Sequence, residues 1–172
     1  MSFKTNKYVL IKEAISKDLA GFIYNYFLMK REVVKTCLDT RFISPFETLL
    51  GEYEPADGQI PHTYANYADI AMETLLLKCQ PLMEKTTGLK LYPAYTYARI
   101  YKKGDILARH KDRFSCEIST TMNLGGDPWS IYLEPNKNNE MPTIRHPYQP
   151  TKNKGIKVDL KPGDMLVYKG TD

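Results

Sequence analysis

The first half of the chain has the spacing of apolar residues that is typical of helices. Within residues 16–38, apolar side chains recur three or four positions apart, and Ser16 offers a hydroxyl suited to capping the first turn. Residues 64–87 repeat this pattern, with Pro81 expected to kink or divide the helix and Gly88 expected to end it. The pattern therefore predicts two helices.

The rest of the chain shows shorter segments and frequent turn residues. Residues 39–63 contain three prolines and two glycines, which predicts a loop with little regular structure. After Gly88 the turn sequences KKGD, GGDP and KPGD separate extended segments. These segments predict strands at about 92–102, 106–110, 115–124, 129–134, 156–160 and 164–169. The Asn-, Pro- and Lys-rich stretch between the fourth and fifth of them predicts a long loop.

Helices followed by a run of strands predict an α+β fold. Helices of this kind cover one face of an antiparallel sheet or jelly roll. With 172 residues, 42% of them hydrophobic, the chain suits a single domain over 1–172. Its helical part would span about 1–88 and its jelly-roll part about 89–172.

Composition narrows the functional classes. The chain contains neither a long apolar run nor the apolar segment of a signal peptide, so we expect a soluble, intracellular, cytoplasmic protein without a membrane partner. Three widely spaced cysteines without a CxxC pair fit a reducing compartment. The net charge of +4 is spread along the chain, which gives no support for a nucleic-acid partner. The sequence does not indicate an oligomeric state.

The His-x-Asp pair formed by His110 and Asp112 is the main chemical signal. Residues i and i+2 of a strand point to the same face, so an imidazole and a carboxylate spaced this way can converge on one ion. A second imidazole would complete the facial triad of non-haem Fe(II) oxygenases. The alternative is a pair of solvent-facing residues at a strand end. We interpret the other two histidines, His62 and His146, as surface residues.

The segment 87–126, TGLKLYPAYTYARIYKKGDILARHKDRFSCEISTTMNLGG, is followed by LKPGDMLVYKG. Together they resemble the prolyl 4-hydroxylase-type branch of the 2-oxoglutarate and Fe(II)-dependent dioxygenases, including forms encoded by bacteria and phages. The resemblance covers roughly residues 86–172. It implies a double-stranded β-helix, which is a cupin-like jelly roll, with N-terminal helices packed on its major sheet. A phage-encoded member would act in the host cytoplasm.

The resemblance also implies roles for individual residues. His110 and Asp112 would be the first two iron ligands, and therefore catalytic. Tyr101, nine residues before the histidine, would hydrogen-bond 2-oxoglutarate, and Thr121 would line the same pocket. Packing on a strand is the alternative role for both. Arg113 would contact Asp112, lie at the mouth of the site near substrate, or be solvated.

Two features depart from the family pattern. Leu107 stands where prolyl hydroxylases often carry a tyrosine, which removes one expected contact to 2-oxoglutarate. The family's second ligand histidine follows the strand after the Pro-Gly-Asp turn, and an Arg or Lys about ten residues later pairs with 2-oxoglutarate. Neither is present in these 172 residues. We therefore expect a truncated chain whose parent has a histidine within about ten residues after Asp172, and a basic residue about ten further on.

The implied activity is hydroxylation of a substrate with release of succinate and CO2. Its cofactors would be Fe(II) and the cosubstrate 2-oxoglutarate, with ascorbate a further candidate. The substrate would be a protein or peptide, a prolyl residue among the options, or a small molecule, and the loop 41–63 is the expected selecting surface. Two alternatives remain open. One is a non-catalytic jelly-roll binding module, and the other is a different metal-dependent cupin enzyme that uses His146.

Overall fold

The computed structural model describes residues 2–53, 59–136 and 155–171. Its helices are α1 (Phe3–Asn6), α2 (Lys17–Asp39), α3 (Ile70–Thr87) and a single 3-10 turn (Phe114–Cys116). Its strands are β1 (Tyr8–Ile11), β2 (Ala65–Tyr67), β3 (Tyr97–Arg99), β4 (Ile118–Met122), β5 (Ser130–Leu133), β6 (Ile156–Asp159) and β7 (Met165–Lys169). All strand pairs are antiparallel, so the α+β class is confirmed. Among the described helices, none combines the length and apolar character needed to cross a membrane.

Tertiary contacts group the chain into two compact units. The first unit comprises Met1–Phe22, Pro81–Tyr92 and Arg109–Asp172. The second comprises Ile23–Gln80 and Pro93–Ala108. The expectation of one domain over 1–172 stays a prediction.

Strand β7 is the centre of the first unit. It pairs with β1 on one side and with β4 on the other. Three successive β7 residues, Met165, Leu166 and Val167, have no exposed surface. Since successive strand residues point to opposite faces, β7 is covered on both. On one face Leu166 packs with Val158 and Leu160 from the region of β6, so two layers of strands share a core.

The KPGD turn that leads into β7 forms as predicted. The Asp164 amide donates to the Lys161 carbonyl at 2.9 Å. Gly163 has a φ of 87°, and a Cβ there would approach the Ile15 carbonyl oxygen to 2.6 Å, so only glycine fits. The turn therefore fixes where β7 begins.

The carboxylate of Asp164 connects this turn to the end of β1. It accepts hydrogen bonds from Lys12 Nζ at 2.7 Å and from the backbone amides of Glu13 and Lys161, both at 3.0 Å. Burial raises the pKa of this carboxyl group, but the Lys12 ammonium and the two amides outweigh burial and bring the pKa below its ordinary value. Asp164 is therefore ionised, both of its carboxylate oxygens accept hydrogen bonds, and it connects the end of β1 to the start of β7.

In the second unit a buried carboxylate decides where α3 begins. Asp69 Oδ1 accepts hydrogen bonds from the Ala71 and Met72 amides at 2.9 and 3.1 Å, which is the geometry of a helix cap. Its Oδ2 accepts hydrogen bonds from Tyr26 at 2.8 Å and from Lys30. The predicted start of this helix at residue 64 was therefore wrong.

The other predicted elements agree with the structure in part. Helix α2 begins after Ser16, whose Oγ lies 3.2 Å from the Leu19 amide, and Gly88 ends α3 with a φ of 71°. Pro81 lies within α3 and does not divide it. The predicted strand at 106–110 is absent, because no described strand pairs with that segment. Strand β1 was missed, since a run of four apolar residues lacks a diagnostic period.

We predict that Asp164→Asn destabilises the protein by about 1–3 kcal/mol at neutral pH, because an amide cannot replace an ionised acceptor for one ammonium and two amides. The pKa of Asp164 is lowered on folding, so its contribution is present above the ordinary carboxyl pKa and is lost as the pH falls through the lowered folded value. Urea unfolding of both proteins as a function of pH measures this difference, which should shrink in acid.

Asp159→Asn is the matched control for this experiment. Asp159 is an exposed carboxylate that also contacts a lysine, Lys157, at 3.2 Å. Its replacement should change the free energy of unfolding much less, since water solvates an exposed carboxylate in either state. Equal losses in the two variants would show that Asp164 has no special structural role.

Candidate metal and cosubstrate site

His110 and Asp112 lie in a segment without regular secondary structure that precedes the 3-10 turn, and not on a strand as predicted. This segment is attached to the end of β7. The Asp112 amide donates to the Gly170 carbonyl at 2.8 Å, and the Gly170 amide donates to the Glu117 carbonyl at 3.0 Å. The bond from the Asp112 amide thus attaches the segment to the residue that follows β7.

The two side chains of the pair converge in spite of this difference. His110 Nε2 and Asp112 Oδ1 are 3.6 Å apart, and the side chains are 28% and 22% exposed, respectively. The spacing of two residues therefore brings an imidazole and a carboxylate together, as the sequence predicts. Both side chains retain access to solvent, and so to an ion.

The second carboxylate oxygen of Asp112 is already engaged. Ser119 Oγ donates to Asp112 Oδ2 at 2.5 Å, and the Tyr168 side chain also hydrogen-bonds the carboxylate. Ser119 Oγ lies 3.1 Å from the Cys116 carbonyl as well. A single hydroxyl proton serves one acceptor at a time, and the charged carboxylate is the stronger one.

These contacts determine the protonation state of Asp112. Burial raises the pKa of the Asp112 carboxyl group, but the neighbouring His110 side chain and the hydroxyls of Ser119 and Tyr168 favour the charged form and bring the pKa below its ordinary value. Asp112 is consequently an ionised acceptor at neutral pH. This is the form of a carboxylate that binds a cation.

The register of β4 and β7 places the neighbours of Asp112. Ser119 is opposite Tyr168 and Thr121 is opposite Leu166, so Ser119, Thr121 and Tyr168 share one face. Thr121 Oγ1 lies 3.5 Å from the Tyr168 hydroxyl. We call His110, Asp112, Ser119, Thr121 and Tyr168 the Asp112 cluster. Ser119 and Tyr168 were not predicted from the sequence, since only the pairing of β4 with β7 brings them to the carboxylate.

The donors of the cluster suit a first-row divalent metal in type and spacing. Ligands on adjacent positions of an octahedral ion with bonds of about 2.1 Å would be about 3 Å apart, close to the observed separation of His110 and Asp112. Within residues 2–53, 59–136 and 155–171, no third His, Cys, Asp or Glu joins them. His62 is exposed in the second unit, as predicted, and His146 lies outside the described residues. The described pair thus supplies two ligands.

The remaining predicted residues are less closely defined. Arg113 is exposed, directly before the 3-10 turn, and its role stays a prediction. Tyr101 is in the second unit, where its side chain hydrogen-bonds Arg99 and the guanidinium carbon lies 5.6 Å from the ring centre. Burial raises the pKa of Tyr101, and the nearby guanidinium opposes that rise. The assignment of Tyr101 to the cosubstrate pocket also stays a prediction.

The comparison with known proteins gives structural likeness but no match in sequence. No protein-family model and no curated protein sequence matches the chain. A crystal structure of a prolyl-4-hydroxylase from Pseudomonas putida aligns with a TM-score of 0.50 over 99% of this chain and 83% of that one, at 13% sequence identity. At this identity the alignment shows the fold alone. The chain thus has a distant prolyl-4-hydroxylase-like fold.

We predict that the protein translated from its complete reading frame binds Fe(II), and that His110→Ala and Asp112→Ala each weaken this binding by at least about 10-fold, because removing even an outer partner of a metal ligand has an effect of that size. Anaerobic titration calorimetry measures the affinities. His62→Asn is the matched control, because asparagine tolerates the φ of 59° found there. Unchanged affinity in both ligand variants would exclude this pair as the metal site.

Proposed function

We propose that the protein is an Fe(II)- and 2-oxoglutarate-dependent oxygenase that hydroxylates a protein, peptide or small-molecule substrate and releases succinate and CO2. The observation that carries this proposal is the convergence of His110 and Asp112 in a prolyl-4-hydroxylase-like fold. Because fold likeness alone does not define activity, the chemistry of the pair is the stronger argument.

In this proposal His110 and Asp112 hold the Fe(II) ion. Oxidative decarboxylation of 2-oxoglutarate coupled to substrate hydroxylation is the chemistry that the bound metal supplies. The protein's own contribution is to keep Asp112 ionised and to direct one of its oxygens towards His110. Hydrogen bonds from Ser119 and Tyr168 to the carboxylate support both functions.

The proposed third ligand is a histidine in the segment that follows β7. The Gly170 carbonyl accepts the Asp112 amide at 2.8 Å, so chain that continues from β7 starts beside the pair. This closeness supports the expectation of a histidine within about ten residues after Asp172, where a strand rises about 3.3 Å per residue. The Arg or Lys proposed for the far carboxylate of 2-oxoglutarate would lie further along the same segment.

The proposed cosubstrate contacts come from Thr121 and Tyr101. Thr121 lies in the Asp112 cluster, and its hydroxyl is a donor suited to a carboxylate. The argument for Tyr101 is its position nine residues before His110. Ascorbate is a further candidate cofactor, and the loop 41–63 is the proposed substrate-selecting surface.

The test is turnover in the protein translated from its complete reading frame. With Fe(II), 2-oxoglutarate and dioxygen, the wild type should produce succinate, whereas His110→Ala and Asp112→Ala should lose turnover while keeping a wild-type circular dichroism spectrum. His62→Asn should remain active. Turnover at the wild-type rate in both ligand variants would refute the proposal.

The same assay distinguishes the alternatives retained from the sequence. A wild-type protein that binds neither Fe(II) nor 2-oxoglutarate would favour the non-catalytic jelly-roll binding module. A protein whose metal binding depends on His146, and which does not consume 2-oxoglutarate, would be a different cupin enzyme. Either result replaces the proposed oxygenase activity.

We also predict that Tyr101→Phe raises the 2-oxoglutarate concentration needed for half-maximal turnover by about 2- to 10-fold, which corresponds to one hydrogen bond of about 0.5–1.5 kcal/mol. Iron affinity should not change, because the phenol is not proposed as a ligand. Steady-state kinetics and a separate iron titration measure the two effects. An unchanged 2-oxoglutarate requirement would leave Tyr101 with a packing role.

A further inference from the structure

The space around the Asp112 carboxylate depends on the absence of a side chain at Gly170. A Cβ atom at this position would lie 2.4 Å from the Cys116 carbonyl oxygen, 2.5 Å from Ser119 Oγ and 2.7 Å from Asp112 Oδ2. All three distances are too short for real contacts. Glycine is required here for space, since the residue does not adopt a left-handed φ. Gly170 therefore permits the contact between Ser119 and Asp112.

The pair of strands β4 and β7 positions both Ser119 and Asp112. It belongs to β4, where its backbone is in register with Tyr168 of β7. The backbone of Asp112 is itself bonded to Gly170, one residue beyond β7. Hydroxyl and carboxylate are thus held by the same pair of strands, which keeps them within hydrogen-bond distance.

This arrangement makes the two oxygens of Asp112 different. Oδ2 accepts the Ser119 hydroxyl, whereas Oδ1 lies 3.6 Å from His110 Nε2. Without the Ser119 bond the carboxylate would rotate more freely, so Oδ1 would face His110 for less of the time and would hold an ion less tightly.

We infer that Ser119 is a positioning residue which, in the space left by Gly170, makes Asp112 a metal ligand through Oδ1 alone. This inference rests on the proposed function for its catalytic consequence, whereas the positioning itself rests on the geometry of the Asp112 cluster. Ser119 acts through the carboxylate and does not contact the reacting atoms.

The test compares the Fe(II) affinity of the wild type, Ser119→Ala and Ser119→Thr, measured by anaerobic titration calorimetry on the protein translated from its complete reading frame. Loss of the hydroxyl should weaken Fe(II) binding by roughly 10- to 100-fold, the usual effect of removing an outer partner of a ligand. Threonine keeps the hydroxyl and suits a strand, so it should restore most of the affinity. Gly170→Ala, which leaves Ser119 in place but fills the space, should weaken binding in the same direction.

Ser130→Ala is the matched control. Ser130 Oγ also donates to a carboxylate at 2.5 Å, that of Asp159, in the same unit. Its loss should leave Fe(II) affinity unchanged, and the melting temperatures of the two metal-free alanine variants should be similar. A Ser119→Ala protein with wild-type Fe(II) affinity, or an equal loss in Ser130→Ala, would overturn the inference.

The outcomes for the inference and for the proposed function are separable. If Ser119→Ala weakens Fe(II) binding but the wild type never consumes 2-oxoglutarate, the positioning role stands and the oxygenase proposal fails. If the wild type is an active oxygenase and Ser119→Ala matches it in affinity and turnover, only the positioning role fails. A wild-type protein that binds no Fe(II) overturns both.

Discussion

The burial of β7 on both faces is the constraint on which the first unit depends. Met165, Leu166 and Val167 are removed from water together, so the strand has little freedom to shift against β1 or β4. A shift by one residue would exchange the two faces and separate Ser119 from Tyr168. Because the strand ends at a glycine that is bonded to Asp112, the same packing that stabilises the sheet also positions the carboxylate.

Two aspartates with lowered pKa values lie at opposite ends of β7 and have different roles. Asp164 directly precedes the strand, and Asp112 is bonded to Gly170, which directly follows it. Asp164 and Asp112 each have a pKa that is lowered in spite of burial, because donors to the charged form outweigh desolvation. Both oxygens of Asp164 accept hydrogen bonds, from the Lys12 ammonium and from the backbone amides of Glu13 and Lys161. This carboxylate therefore connects the end of β1 to the turn before β7. Asp112 has one such oxygen bound by Ser119 and the other turned towards His110, which is an arrangement suited to a ligand.

The parts of the fold that the sequence predicted are those governed by local chemistry. Apolar spacing predicted α2, the KPGD turn predicted the start of β7, and Gly88 predicted the end of α3. The errors occurred where a distant partner decides. Helix α3 begins later than predicted because Tyr26 and Lys30 stabilise the Asp69 carboxylate at its first turn. The segment 106–110 is not a strand, since none of the described strands pairs with it.

For the candidate site, the sequence by itself determined the pair of His110 and Asp112, since two residues so close in the chain can converge whatever surrounds them. It did not determine the roles of Ser119, Tyr168 and Gly170. These residues reach the carboxylate only through the antiparallel register of β4 and β7, whose members are about fifty residues apart in the chain. The burial of whole strand faces determines which strands pair over such a separation, and a short sequence motif cannot predict it.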